Sequence, residues 1–569
     1  MKLVLKAYIE ALKEDNQLDK LLTDLLWSMN LNNLTKIKKG RQYGVDIAAF
    51  GPDPEDNVKK VFLFAVKQGD FTRKNWDVGT NSIRPTLGEI LNTYLPTSLN
   101  SRYQKYPKKI IVACNGYLDQ NVNIDWTQFI NQNGVSNLIE FDFWGLEKIV
   151  SYVESYMLSE MLFPESYQIL LRKTLSFLDL PDYDLRHFHA LVTRVLEANI
   201  ETKVDKRLMR NLKLIPLLSS ILHKWCIEMD NLKPSIIASE RTLLVFYDFI
   251  RKRSLFEEKE VLHQFMSMHA FKTQINREYL AKIQHSFYIE DGLAFKIRNH
   301  SEYCLMTFEQ IGIVATIGLT ELFETQIFMS MSDDTQSGAS ELCYQAACHI
   351  SQGLGELIVN NPSAYTPKYD EHCIDINLAM ILFYNTERYD YAGYWLENLI
   401  TYLRDAFMFS GFIPLFYTSH DRLIQIELGN EKAEINSSML ITSLAEWCII
   451  LKRFDLYTLL HQTIEEYFPE IDLQLWHPEI DTEDHLFTTN AMNETGSTRN
   501  TTKMPKKAVE YEMEMAEEPK IFFNEAEMEH NKKGMGHLEY IANRHFRSYV
   551  FPNSWRSLLS TRFCFNSKN

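Results

Sequence analysis

The chain opens with apolar residues at helical spacing. Between residues 3 and 29 they include Leu18, Leu21, Leu22, Leu25 and Leu26, which predicts an amphipathic helical start. The period then changes to two. Tyr43 to Phe50 alternates, Gly51 to Asn57 (GPDPEDN) is dense in turn formers, and Lys60 to Lys67 reads as a second strand. Together they predict a β-hairpin with a seven-residue loop. A helix is expected near Pro85 to Tyr94. KKIIVACNG, Lys108 to Gly116, is a short apolar run suited to a buried central strand. A helix near Asp125 to Asn131, a strand at Asn137 to Phe143 and a helix from Leu146 to Phe163 complete the order α-β-β-α-β-α-β-α. That order is an α/β domain over residues 1–163.

From Glu165 the pattern is long helical periodicity with few strand signals, as in Leu185 to Ile200, Leu208 to Glu228 and Ser239 to Lys252. A large all-α domain over residues 164–489 is expected. Two of its segments resemble each other. Ile376 to Phe383 followed by ERYDYAGYWLENLI parallels Met439 to Leu451 followed by KRFDLYTLLHQTI, a hint of stacked helical hairpins. Residues 490–569 read as a linker (NAMNETGSTRNTTKMPKK, 490–507), an acidic Met-rich segment and a helical tail. The acidic segment is either a docking element that orders on a partner or an insertion before a final helix.

Composition narrows the class. Only 21 Gly and 17 Pro in 569 residues argue against a mostly β architecture, and 45% hydrophobic residues exclude general disorder. The eight cysteines are scattered, so no disulfide framework is indicated. The start turns polar too early for a secretory signal. The longest apolar run, Ile311 to Phe323, is short for a membrane span and contains Glu321. A cytoplasmic protein without membrane association is the expectation. The net charge of −16 is unevenly placed. The first 160 residues hold 19 Lys+Arg and 19 Asp+Glu, leaving 40 basic against 56 acidic residues beyond them. A polyanion would therefore meet the N-terminal part. Its basic clusters are Lys36, Lys38, Lys39 and Arg41, then Arg73 and Lys74, then Arg102, Lys105, Lys108 and Lys109. Each could also be plain solvated surface, so location has to decide.

The stretch with chemical content is GRQYGVDIAAF followed by KKVFLFAVKQGD. Asp46 lies on the first hairpin strand and Lys67 ends the second. A carboxylate and a lysine on neighbouring strands, near a strand end, can flank a divalent cation and a phosphate. An ordinary surface ion pair is the plainer alternative. This pattern resembles the PD-(D/E)XK nuclease superfamily, closest to its Mrr-like restriction endonuclease branch, over about residues 10–160. The Gly-x-Asp strand, the second strand ending in lysine, KKIIVACNG and the closing FDFWGLEKI carry the resemblance. It implies a restriction-endonuclease-like α/β fold and Mg²⁺- or Mn²⁺-dependent hydrolysis of DNA phosphodiesters. Asp46 would be the metal-binding aspartate, Lys67 the catalytic lysine and Gln68 the polar residue behind it. Asp19 stands where the branch often keeps a helical carboxylate. Ala65 departs from the pattern, because the family places Glu, Asp or Gln two residues before the lysine. Three readings stay open: a displaced acid such as Asp19 or Asp70, a fold that binds without cutting, or a site altered to remove activity.

Arg41, Arg73, Lys74 and Arg84 are the expected nucleic-acid contacts, with Phe71 and Trp76 either stacking on bases or packing the loop onto the core. The resemblance further implies a prokaryotic anti-phage effector. Its helical part would regulate, self-assemble into a homo-oligomer or bind a protein partner. Other chemistry is not indicated. Cys343, Cys348, His349, His372 and Cys373 lack zinc-ligand spacing, and His187 and His189 diverge at a helix start. GxxxxGK[ST], GxGxxG and GxSxG are all absent.

Overall fold

A computed structural model describes the chain apart from residues 1, 35–42, 78–81, 158–163, 181–182, 199–203, 295–296, 298, 331–333, 411–413, 415–418, 433–435, 489–495, 499–503, 518–526, 552–555 and 557–569. It divides into two compact units. The first comprises Met1–Ala238 with Glu258–Gln264, the second Ser239–Glu257 with Phe265–Asn569.

The first unit starts with α1 (Lys2–Glu10), a π-helical turn (Glu14–Leu18) and α2 (Asp19–Ser28). A five-stranded sheet follows in the spatial order of the chain: β1 (Asn32–Asn33), β2 (Ile47–Pro52), β3 (Lys59–Lys67), β4 (Lys108–Cys114) and β5 (Ile139–Trp144). β1, β2 and β3 pair antiparallel, whereas β3, β4 and β5 pair parallel. The crossovers carry α3 (Arg73–Asp77), α4 (Ile83–Glu89) and α5 (Gln120–Asn133), and α6 (Leu146–Tyr152) closes the sheet. This is the expected mixed α/β arrangement with one additional edge strand. The hairpin starts later than the alternation suggested. Tyr43 (φ 48°) and Gly44 (φ 80°) are left-handed, which a strand cannot accommodate, so the ladder begins at Ile47 and the loop is residues 53–58.

β3 and β4 are buried on both faces, as parallel strands covered by helices must be. Val61, Leu63 and Ala65 face one layer, where Phe71, Trp76, Leu87 and Trp126 complete the core. On the opposite face Phe64 meets Trp144 edge to face at 5.0 Å. α1 packs on α6 and α2 on β2. The unit continues with α7 (Glu165–Phe177), α8 (Arg186–Glu197) and α9 (Lys206–Glu228). They pack in succession, with α9 returning to α1.

α10 (Lys233–Lys252) and α11 (Lys259–Ile283) precede the long α12 (His300–Ser330) and α13 (Asp334–Asn360). Next come α14 (His372–Asn385), α15 (Tyr389–Ser410), α16 (His420–Glu427), α17 (Leu440–Ile450) and α18 (Phe454–Tyr467). The chain ends with α19 (Glu483–Leu486), α20 (Ala508–Glu517), α21 (Glu529–Lys532) and α22 (His537–Phe546).

α14–α15 and α17–α18 are the two similar segments, and they are stacked hairpins. In both, the first helix is buried and the turn carries one left-handed residue, Glu387 (φ 59°) or Lys452 (φ 60°). α12 extends the Ile311–Phe323 run into a helix long and apolar enough to cross a membrane. However, 78% of its apolar window is buried inside the unit, against α13, α14 and α22.

The tail contributes to this core as well. The linker is largely outside the described residues, but α20 buries Tyr511 and Met515 beside Tyr457, and Arg547 grips Asp375 at 2.8 and 2.9 Å. His530 lies between Glu483 (2.9 Å) and Glu539 (3.1 Å). Burial opposes its protonation, yet the two carboxylates hold its pKa up at about 9. The seven described cysteines are unbridged, and Cys564 lies outside the described residues.

Candidate active site at the ends of β3 and β4

Open α/β sheets present ligands with the carboxyl ends of their parallel strands, and Lys67 is the last residue of β3. Its Nζ is 2.8 Å from Oε1 of Glu14, in the π-helical turn between α1 and α2. The other oxygen of Glu14 accepts from the backbone N–H of Gln68 at 3.3 Å. Asp46 precedes β2. Its backbone N–H donates to Phe64 (2.9 Å), and its Oδ2 accepts from the N–H of Val66 (2.7 Å). Two carboxylates thus reach the strand end that carries the lysine, from two separate segments that both precede it in the sequence.

Local backbone requirements explain part of this placement. A Cβ on Gly44 would sit 2.7 Å from both Cγ2 and the carbonyl oxygen of Thr86, and its φ of 80° is left-handed. Only glycine lets the segment bearing Asp46 pass this close to α4. A Cβ on Gly116 would lie 2.4 Å from the carbonyl carbon of Gly69, so the segments leaving β3 and β4 are in direct backbone contact.

Among the other expected residues, Gln68 is exposed beside Lys67. Asp19 does not join the lysine; its Oδ1 accepts from the N–H of Lys20 at 2.7 Å. The carboxylate of Asp70 accepts from the N–H of Tyr117 at 2.8 Å. The acid at the lysine is instead Glu14. Ala65 is fully buried in the apolar layer. Arg73 and Lys74 are exposed on α3, in the segment that leaves the site. Arg84 pairs with Asp77 at 3.1 Å. Phe71 and Trp76 are not available to bases, because both are buried in the aromatic core with Trp126. Arg41, with Lys36, Lys38 and Lys39, lies outside the described residues.

The third basic cluster belongs to the far end of the sheet. Lys108 and Lys109 begin β4, about 20 Å from its site end at strand rise. Lys109 is buried and bonded to Asp53 (3.0 Å) and Glu55 (2.6 Å). Lys60 reaches Asp53 (3.0 Å), Asp56 (2.6 Å) and Glu140 (2.7 Å). Lys109 is therefore a structural lysine, not a phosphate contact.

Glu14 and Asn115 are the site residues that sequence reasoning missed. The polar run that interrupts helical spacing between Glu10 and Asp19 marks the turn holding Glu14. Asn115 is the first polar residue after an apolar strand and precedes a glycine.

In the second unit, Glu321, Glu324 and Cys343 are the one group of three potential metal ligands within 4.8 Å among the described residues. Arg277 already binds Glu321 through two hydrogen bonds of 2.9 Å. Cys348, His349, His372 and Cys373 do not join them, and His372 stacks on Phe308. A cavity of about 670 Å³ in the same unit is lined by His300, Tyr365, Lys368, Tyr402 and Glu427, with Lys368 and Glu427 paired at 2.9 Å. No family model matches the chain, and neither a curated protein nor a solved structure matches it.

Proposed function

We propose that the first unit is a metal-dependent DNA endonuclease, an anti-phage effector, whose second, helical unit regulates it or mediates assembly with further copies or a protein partner. The observation that carries this reading is the Glu14–Lys67 pair at the end of β3, with Asp46 bonded to the adjoining backbone. The carboxylates of Asp46 and Glu14 are hard oxygen donors, the ligand type that divalent Mg²⁺ and Mn²⁺ prefer. They would hold Mg²⁺ or Mn²⁺, which supplies Lewis-acid polarisation of the phosphate and a more acidic water. The Lys67 ammonium offsets the charge that develops on the phosphoryl oxygens. Glu14 aims that lysine. Arg73 and Lys74 bind the flanking backbone phosphates. Glu14 serves here as the displaced acid that Ala65 calls for.

A second reading rests on Ala65. Fully buried, it offers no ligand at the position where the family keeps one, and a nuclease fold without that acid can bind nucleic acid or protein without cutting.

The deciding experiment is DNA cleavage by the purified chain with Mg²⁺ or Mn²⁺, beside Lys67→Ala, Asp46→Ala and Glu14→Gln. Metal-dependent nicking lost in all three supports the nuclease. No cleavage together with a retained gel shift favours the binding module, and neither cleavage nor shift rejects DNA as the ligand.

A further inference from the structure

Asn115 is 1% exposed and follows the last residue of β4. Its Nδ2 lies 3.0 Å from the carbonyl of Ile9, 3.0 Å from that of Glu10 and 2.7 Å from that of Leu12. Only the NH₂ end of the amide, with two N–H donors and one of them shared, can face three carbonyls, which fixes the orientation of the amide. Its Oδ1 accepts from the N–H of Gly69 at 2.7 Å. Leu12 is two residues before Glu14, and Gly69 is two residues after Lys67. A single buried side chain therefore ties down the chain on both sides of the ion pair. The neighbouring Gly116, pressed on Gly69, removes the slack.

We propose that Asn115 is a positioning residue that sets Glu14 against Lys67. Local backbone geometry does not do this, because Glu14 and Lys67 belong to segments 53 positions apart with no strand pairing between them. Asp at position 115 would present oxygen to three carbonyl oxygens. Ser would be too short to bridge them to Gly69. Either change releases the turn after α1 from the loop after β3. The inference rests on the nuclease reading only for the consequence in catalysis.

The test is competitive acetylation of lysine amines in the full chain, read by mass spectrometry, for wild type, Glu14→Gln, Asn115→Asp and Asn115→Ser. Exposed Lys74 is the reference, and buried Lys109 reports an intact fold. Lys67 is expected to gain reactivity by a factor of about 2–5 in Glu14→Gln, the scale of a half-exposed ion pair. It should gain the same in both Asn115 variants while Lys109 stays protected. Wild-type reactivity of Lys67 in the Asn115 variants overturns the proposal, as does an unchanged Lys67 in Glu14→Gln. Should both variants expose Lys109, hydrogen exchange at the Gly69 amide of the wild type decides: protection is expected, and exchange at the free-loop rate overturns it. Failure of the wild type to cut DNA would reject the nuclease reading and leave these readouts untouched.

Discussion

The two ends of the β3–β4 pair both carry lysines, and they treat them differently. At the hairpin end Lys60 and Lys109 are buried and surrounded by Asp53, Asp56, Glu55 and Glu140. Both buried ammonium groups are paired with carboxylates, which holds the ends of the strands and leaves neither lysine for a ligand. At the other end Lys67 meets one half-exposed carboxylate, Asp46 is exposed beside it, and Arg73 and Lys74 face solvent. Buried and saturated lysines stabilise a fold, whereas an accessible lysine beside exposed or half-exposed carboxylates can meet a phosphate. Sequence clustering alone does not separate the two ends, and burial does.

Substitutions that separate stability from activity probe this contrast. The largest effect is expected from Asp53→Ala, which removes the buried carboxylate that both ammonium groups share and should cost about 3 kcal/mol in denaturant unfolding, the scale of two lost charged hydrogen bonds. A loss under 1 kcal/mol would mean that the hairpin end is not a stabilising cluster. At the opposite end Lys67→Ala should reduce metal-dependent cleavage about 100-fold or more, with the unfolding free energy changed by less than about 1 kcal/mol. Equal losses of stability at the two ends would erase the distinction.

Gly44→Ala should cost about 1–3 kcal/mol through its left-handed backbone and the close Thr86 contact. It should also displace Asp46, visible as weaker Mn²⁺ binding in calorimetry.

The hairpin end should be acid-sensitive. Hydrogen bonding to Lys109, reinforced by Lys148, holds the Glu55 carboxyl down at about 2. A depressed carboxylate contributes its stability above the ordinary carboxyl value and loses it as pH falls through the folded one. Wild-type stability measured by urea unfolding should therefore fall between about pH 4.5 and 2. Glu55→Gln should flatten that slope. Smallest of all, Arg73→Ala should leave stability alone and lower the salt dependence of DNA binding by about one counterion. An unchanged slope in the gel shift would remove α3 from the interface.

Ala65 shows where a motif stops being informative. As a letter it was a missing ligand, and the displaced acid was sought at Asp19 or Asp70. Those two carboxylates bind nearby backbone N–H groups, and the acid that reaches Lys67 comes from a turn at Glu14. Trp76 teaches the same lesson in reverse. Interleaved with Arg73 and Lys74 it admits both base stacking and core packing, and at 2% exposure within a cluster of rings it is core.

Much of the architecture was legible because it is written in local period and turn chemistry. The change from helical spacing to alternation announced the hairpin, the apolar run Lys108 to Cys114 announced a central strand, and two similar helix–turn–helix segments announced stacked hairpins. Gly-x-Asp and the strand-ending Lys67 point to one end of β3, where the proposed site lies. Tertiary structure alone decided which lysines are saturated, which aromatics are core, and which acid meets Lys67. Those outcomes depend on burial and on contacts between residues 40–100 positions apart. Asn115 is the extreme case, since its side chain acts on Ile9 and Leu12 from more than 100 residues away. Propensity and periodicity act over one turn or one strand, while such a bond exists only once the layers have packed.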